Sequence, residues 1–358
     1  MNKTKIQWCD YSTNPVKAVV AGGKKGWFCT KVSEGCRNCY SEGLNRRFGN
    51  GLSYSGQNAD RVGFKLDEAE LKTIVRKKAP AGSRVFVCDM TDLFHPAISD
   101  DIVDQVFAAM AVRSDLIFMV LTKRPANMLR YLTQHPGFHR AAIIAERAMQ
   151  LGDFQYFTKT GTAMLGHKIS GLTADKVRAW PGYPFANIQL GVTVENQDTA
   201  NERIPLLLQC PAAVRFVSYE PALGPVDFTP SETTPWIRGL DGIIAGGESG
   251  THARPAHPAW FRKVRDDCQT HSVPFFFKQW GEWAPLKDHF ETAPGNAAVC
   301  LVKDDGRVVR PYCEGDAPGT IMVNVGKAVS GRLLDEQTHN DLPRACQHHA
   351  ADSEGGKP

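Results

Sequence analysis

The chain has 358 residues, 42% of them hydrophobic and 22% charged, which is the balance of an ordinary globular protein and excludes a disordered or fibrous one. Lys and Arg number 42 against 38 Asp and Glu; a formal charge of +4 with no basic block excludes an arginine-rich tail that coats nucleic acid, and leaves a nucleic-acid partner open. Met1 is followed by polar residues through Lys5, and the longest apolar runs are far too short to cross a bilayer, so a cytoplasmic protein with no membrane contact is expected.

Short apolar runs and helical patterns alternate through the centre of the chain. A strand is predicted at Arg84–Cys88, then a helix capped by Ser99, with Asp100 and Asp101 in its first turn and Ile102, Val103, Val106, Phe107 and Met110 on one face. Leu116–Leu121 reads as the next strand, and Pro125 opens a helix bearing Met128, Leu129 and Leu132. Residues 135–185 interrupt the alternation with a helix over Ala141–Leu151, Gly- and Thr-rich sequence and Trp180-Pro-Gly-Tyr-Pro184, the form of an insertion serving as a lid or partner surface. Strands follow at Ile188–Val194, Val214–Ser218, Gly242–Ala245 and Pro274–Phe277, with a helix opened by Pro258 before the last. Beyond Trp283, Ala297–Val302 and Thr320–Val325 are β-like, separated by the turn signal Asp304-Asp-Gly306, and the chain from His348 is polar and expected to be disordered.

Continuous rather than alternating apolar strands, separated by helices, predict right-handed βαβ units and a parallel sheet. Six strands end in polar clusters: Asp89 with Asp92, Thr122-Lys-Arg124, Glu195-Asn196, Tyr219-Glu-Pro221, Gly246-Gly-Glu-Ser249 and Lys278-Gln-Trp280. Such ends converge on one site in a barrel and crowd one switch point in an open sheet. The expected fold is therefore α/β, a TIM-like (β/α) barrel, full or partial, over residues 1–284, with a small C-terminal β extension over 285–347 and a tail from 348.

Ten cysteines do not make a disulfide scaffold in a chain this long, and clustered ones favour metal or redox chemistry. Cys29, Cys36 and Cys39, spaced x6 and x2, form a three-point mount for a metal, with Gly35 relaxing the backbone and Lys31 and Arg37 favouring thiolates. A cubane on three cysteines keeps one iron without a protein thiolate; a structural zinc needs a fourth ligand, which Cys9 or a histidine can supply. Spacing alone leaves cluster and zinc even.

Ile6-Gln-Trp8, Thr13-Asn-Pro15, Cys29-Thr-Lys-Val-Ser33, Gly35-Cys-Arg-Asn-Cys-Tyr40 and Asp92-Leu-Phe-His95 carry a resemblance that continues along the chain. Its later segments are Leu121-Thr-Lys-Arg124, Leu190-Gly-Val192 with Glu195-Asn196, Phe216-Val-Ser-Tyr-Glu-Pro221, Gly246-Gly-Glu-Ser-Gly250, Phe275-Phe-Phe-Lys-Gln-Trp-Gly281 and Gly331-Arg-Leu-Leu-Asp335. Together they resemble an uncharacterised three-cysteine family of bacteriophages and bacteria, related to radical S-adenosylmethionine enzymes such as spore photoproduct lyase. Its pattern has a shorter turn than Lys17–Lys25 and a shorter link than 135–185.

The resemblance implies a [4Fe–4S] cluster on Cys29, Cys36 and Cys39, with S-adenosylmethionine on its open iron as the source of a hydrogen-abstracting radical. It places Tyr40, Asp89, Asp92 and Glu195 as cofactor-binding candidates and Lys123, Glu220, Glu248 and Lys278 as catalytic ones, with Arg124 and Gln279 beside them. The Gly246-Gly-Glu248 motif follows a late strand rather than the second, so the methionine-binding role of that motif is not carried over. Expected partners are a nucleic-acid or nucleotide substrate and an electron donor such as flavodoxin or ferredoxin. Lys123, Arg124 and Lys278 sit where phosphate contacts form, and Trp280 and Trp283 can stack a base or pack in the core. The competing class is a non-catalytic, zinc-stabilised nucleic-acid-binding or partner module.

Overall fold

A computed structural model of the chain describes residues 1–151, 155–157, 177–179, 183–231, 233–286, 292–310 and 318–344. Its strands, in chain order, are Asn2–Lys3 (β1), Tyr11–Thr13 (β2), Val16–Val20 (β3), Lys25–Gly26 (β4), Val62–Leu66 (β5), Arg84–Val87 (β6), Ile117–Thr122 (β7), Gln155–Phe157 (β8), Val177–Ala179 (β9) and Ile188–Val194 (β10). Val214–Tyr219 (β11), Ile243–Gly246 (β12), Phe275–Gln279 (β13), Trp283–Pro285 (β14), Val299–Val302 (β15), Val308–Val309 (β16) and Thr320–Asn324 (β17) follow. The helices are Tyr40–Phe48 (α1), Glu68–Arg76 (α2), Asp100–Ala111 (α3), Pro125–Thr133 (α4), Gly137–Gln150 (α5), Gln197–Gln209 (α6), Pro258–Thr270 (α7) and the single turn Lys327–Ser330 (α8).

The main sheet has eight strands in the order β1-β2-β6-β7-β10-β11-β12-β13. From β2 onward each strand neighbours the next one in that sheet, without the reversal of order that marks a doubly wound fold. Steps β2 to β6, β6 to β7, β11 to β12 and β12 to β13 are parallel, as helical crossovers require. This is the winding of a (β/α) barrel, and because the order has two ends the barrel is partial.

Two compact units divide the chain. The first comprises Met1–Thr30, Ser41–Leu190 and Gln209–Ala213. Its strands β6 and β7 are apolar and almost wholly buried, and α3 covers its buried face with Val103, Val106, Phe107 and Met110. Ser99 is the N-cap of α3, but its side chain makes no capping bond. The small sheet β4-β3-β5 adds a hairpin over Lys17–Lys25. The insertion begins as a docked element. Arg140 of α5 is buried and donates to Asp104 of α3 at 2.8 Å, where the Tyr131 hydroxyl also donates at 2.8 Å. Residues 158–176 and 180–182, which include Trp180, and the tail from 345 lie outside the described residues.

The second unit comprises Lys31–Tyr40, Gly191–Leu208 and Val214–Pro358. Strands β11 and β12 are apolar and buried, and α7 packs Phe261, Val264 and Cys268 inward. Pro258 opens α7 at N1, while the His257 ring accepts from the Ala259 backbone N–H as its cap. A second sheet, β14-β17-β15-β16, is antiparallel, and its β15–β16 hairpin turns across Asp304-Asp305-Gly306.

Candidate functional site

In the second unit the cysteine-bearing loop rests on a buried carboxylate. Glu34–Cys36 forms one 3₁₀ turn after Ser33, whose hydroxyl leaves the usual capping position and donates to Glu195 Oε1 at 2.8 Å. Glu195 directly follows β10 with no exposed surface, and its Oε2 accepts from Arg203 Nη1 at 3.1 Å. Arg203 lies on α6, 1% exposed, and also donates to the Thr193 carbonyl at 2.8 Å. Gly35 lets the turn approach this carboxylate closely: a Cβ at that position would sit 2.4 Å from Glu195 Oε1, so the buried side chain would have to shift. Arg254 makes a second clamp. Its Nε and Nη2 fork onto Glu248 at 2.8 and 2.7 Å, and Nη2 also donates to the Glu34 carbonyl at 3.0 Å. Asn38 Nδ2 donates to the His252 carbonyl at 2.9 Å.

In the first unit the loop's leading end is held in the same manner. Arg124, just past β7, donates through Nη1 to Asp92 at 2.8 Å and to Cys29 Sγ at 3.4 Å. Its Nη2 donates to the carbonyl and hydroxyl of Thr30 at 2.7 and 2.8 Å. Asp92 also accepts from the Thr122 hydroxyl and from the Lys123 backbone N–H. Burial pushes the Cys29 thiol up to about 11, and the Arg124 guanidinium opposes that shift. His95 lies beside Thr30 Oγ1 at 3.2 Å, packed on Phe28 and Phe64; burial, and then the charge of Arg124, push its imidazole down to about 4. Its Nδ1 accepts from the Ala97 N–H, so Nε2 carries the proton.

The remaining candidates divide differently. Lys278, on β13, pairs with Glu220 after β11 at 3.0 Å, and the Ser218 hydroxyl donates to Glu220 Oε2 at 3.3 Å. Gln279 is buried, and its Oε1 meets no donor. Asp89 accepts from Asn14 Nδ2 at 2.6 Å, and Tyr40 is exposed at the start of α1. The Arg124 guanidinium is engaged by Asp92, Cys29 and Thr30. Of the two expectations for Trp280 and Trp283, the structure shows core packing: both are buried, with indole N–H groups donating to the Leu333 and Ala253 carbonyls.

Sequence reading missed Arg203 and Arg254, which carry no signal apart from their charge. Ser33, Thr30 and His95 lay inside recognised segments without an assigned task. Among the eight described cysteines, Cys29, Cys36 and Cys39 are the ones that are not buried. No three His, Cys, Asp or Glu side chains among the described residues stand close enough to hold a metal ion. The donor chemistry of the loop nevertheless suits a thiophilic centre: three half-buried cysteines, one of them already receiving an arginine N–H.

The model of the family described as protein of unknown function (DUF5131) matches residues 3–343. The chain belongs to this family. No curated protein matches it. Among solved structures, a point mutant of spore photoproduct lyase is similar at 9% identity over 90% of this chain and 72% of that one, with a TM-score of 0.32. No helix among the described residues is long and apolar enough to cross a membrane.

Proposed function

We propose that this chain is an iron–sulfur enzyme of the radical S-adenosylmethionine type, with the cluster held by Cys29, Cys36 and Cys39. The observation that supports the reading is that Cys29, Cys36 and Cys39, unlike the other described cysteines, are not fully buried and lie on a segment held by the Glu195 and Arg124 networks. When bound, a cluster of this kind with S-adenosylmethionine supplies one-electron cleavage of the sulfonium and abstraction of a substrate hydrogen.

The chain's own residues then have separable tasks. Arg124 offsets thiolate charge at Cys29 Sγ and, through Thr30, fixes the direction of that side chain. Glu195 and Arg254 orient the turn that carries Cys36. Asp92, Glu195 and Glu248 are therefore occupied in holding the loop, which leaves Glu220 and Lys278 as the charged strand-end pair suited to touching a ligand. Carboxylate and ammonium 3.0 Å apart can receive the amino and carboxylate groups of an amino-acid moiety.

The test is S-adenosylmethionine added to the reconstituted, reduced protein. The expected result is a changed electron paramagnetic resonance signal and slow formation of 5′-deoxyadenosine, both weakened in Lys278→Ala. A colourless protein that carries zinc, or a cluster whose signal ignores S-adenosylmethionine, contradicts the proposal.

A further inference from the structure

The main sheet ends on β1 at one edge and on β13 at the other. β1 is two exposed residues, but β13 presents Phe275, Phe276 and Phe277 in succession, 6%, 2% and 0% exposed. An edge strand this apolar, without proline, glycine or acid, is a template for pairing with another chain. Residues 335–341 cover it as a strap. The strap runs antiparallel to β13 through a bridge between Phe276 and Asn340. The Phe277 N–H donates to the His339 carbonyl at 3.1 Å, and the Asp341 N–H donates to the Phe275 carbonyl at 3.2 Å.

The strap is lightly seated. Gln337, Thr338, Asn340 and Asp341 are exposed, and Arg332 is the side chain that ties it down, with Nη2 donating to the Phe277 and His339 carbonyls and to Asn340 Oδ1. Yet Arg332 Nε and His339 Nε2 are buried without hydrogen-bond partners. The turn that aims the strap is strained. Leu334 and Gln337 exchange backbone hydrogen bonds across Asp335 and Glu336, which sit at φ 52° and 63°. Left-handed backbone at both central positions favours glycine or asparagine, and here it is held by two ion pairs from α7, Arg262 and Arg265 with Asp335. A cleft of about 1340 Å³ is lined by Thr338 and His339 of the strap and by Arg265, Cys268 and Gln269 of α7, so the strap lies over space rather than a packed layer. Beyond it the chain is fixed again, with the Arg344 N–H donating to the Asp241 carbonyl, which confines any opening to the arch between.

We infer that residues 335–341 are a displaceable strap, and that the β13 edge it guards is a pairing surface for β13 of a second copy of this chain. The strap is itself antiparallel, so its departure leaves Phe275 and Phe277 with edge groups set for an antiparallel partner. A two-fold contact centred on Phe277 lets that residue exchange both backbone bonds with its counterpart, and sets Phe276 opposite Lys278 and Phe275 opposite Gln279. Lys278 is the one charge of the strand, and in this register no like charges face each other. The contact requires no metal or cofactor and is independent of the proposed function.

The experiment compares the full chain in wild type, Arg332→Ala, Asp335→Ala and Glu336→Gly by sedimentation velocity and by hydrogen exchange of the Phe277 amide. The first two variants loosen the strap, whereas glycine at 336 relieves the turn and tightens it. Wild type and Glu336→Gly should sediment as monomers, with exchange slowest in Glu336→Gly. In dilute Arg332→Ala and Asp335→Ala the Phe277 amide should exchange about tenfold or more faster than in wild type. As their concentration rises, both should form dimers and regain protection at Phe277. Loosened variants that stay monomeric, or that dimerise with Phe277 still exposed, overturn the pairing surface. Exchange at Phe277 equal to wild type in both overturns the strap, as does a Glu336→Gly protein that dimerises as readily as Asp335→Ala.

Discussion

The Ser33 hydroxyl donates to Glu195 Oε1 at 2.8 Å, tying the cysteine loop to the end of a strand whose seven residues are all buried. Hydroxyl, carboxylate and the Arg203 guanidinium form one hydrogen-bonded chain whose ion pair is buried, so the loop has a preferred position before any metal arrives.

Removing the carboxylate strands a buried guanidinium. Glu195→Ala is expected to lower stability by about 3–5 kcal/mol in urea unfolding, the usual cost of breaking a buried ion pair from one side. Hydrogen exchange over residues 31–40 should accelerate along with it. Exchange in that segment equal to wild type would show that Glu195 does not hold the loop.

Glycine positions separate a packed site from an open one. Gly35→Ala drives a methyl group into Glu195 and should abolish metal loading. Gly43, in α1, has nothing within 4 Å of a built Cβ, so Gly43→Ala should raise stability by about 0.5–1 kcal/mol. Iron content and thermal midpoints of the two variants test both expectations.

Acid should destabilise the metal-free protein through His95. Its imidazole is held neutral down to about 4 in the fold, against an ordinary value of 6.5. Between those values the unfolded chain takes up a proton that the folded chain refuses. Stability is therefore full above about pH 6.5 and falls by about 3 kcal/mol as pH drops through 4. His95→Gln should flatten that part of the urea-stability profile, and an unchanged profile would contradict the assignment.

The parallel strands were legible because strands buried on both faces are continuous apolar runs, and Arg84, Leu116, Ile188, Val214, Gly242 and Pro274 each begin or closely flank one. Tyr11–Thr13 was missed because three residues hold no period, and Val16–Val20 because its near partner, Lys25–Gly26, is only two residues long and its longer one, Val62–Leu66, lies far along the chain. At the site, charge was legible but purpose was not. Glu195, Glu248 and Asp92 read as acids at strand ends in the same way as Glu220 does. Only the tertiary arrangement of Arg203, Arg254 and Arg124 separates carboxylates that hold the loop from the one paired with Lys278.

Arg124 joins structure to chemistry. Arg124→Ala removes the partner of Asp92 at a site where both side chains are 9% exposed, and should cost about 3–5 kcal/mol in the metal-free protein. Where that loss is tolerated, the reconstituted cluster should have a lower reduction potential, because an N–H donor to a ligating sulfur is gone. A midpoint unchanged from wild type would remove Arg124 from the environment of the centre.

The most direct measurement is iron, sulfide and visible absorbance of anaerobically reconstituted protein, compared among wild type, Cys29→Ala, Cys36→Ala, Cys39→Ala and Cys268→Ala. Wild type and Cys268→Ala should be brown and carry equal iron, while each of the three loop variants loses most of both, because a three-point mount has no ligand to spare. Full iron retention in Cys36→Ala, or a wild-type protein that takes up zinc and stays colourless, would contradict the assignment of the loop as an iron–sulfur site.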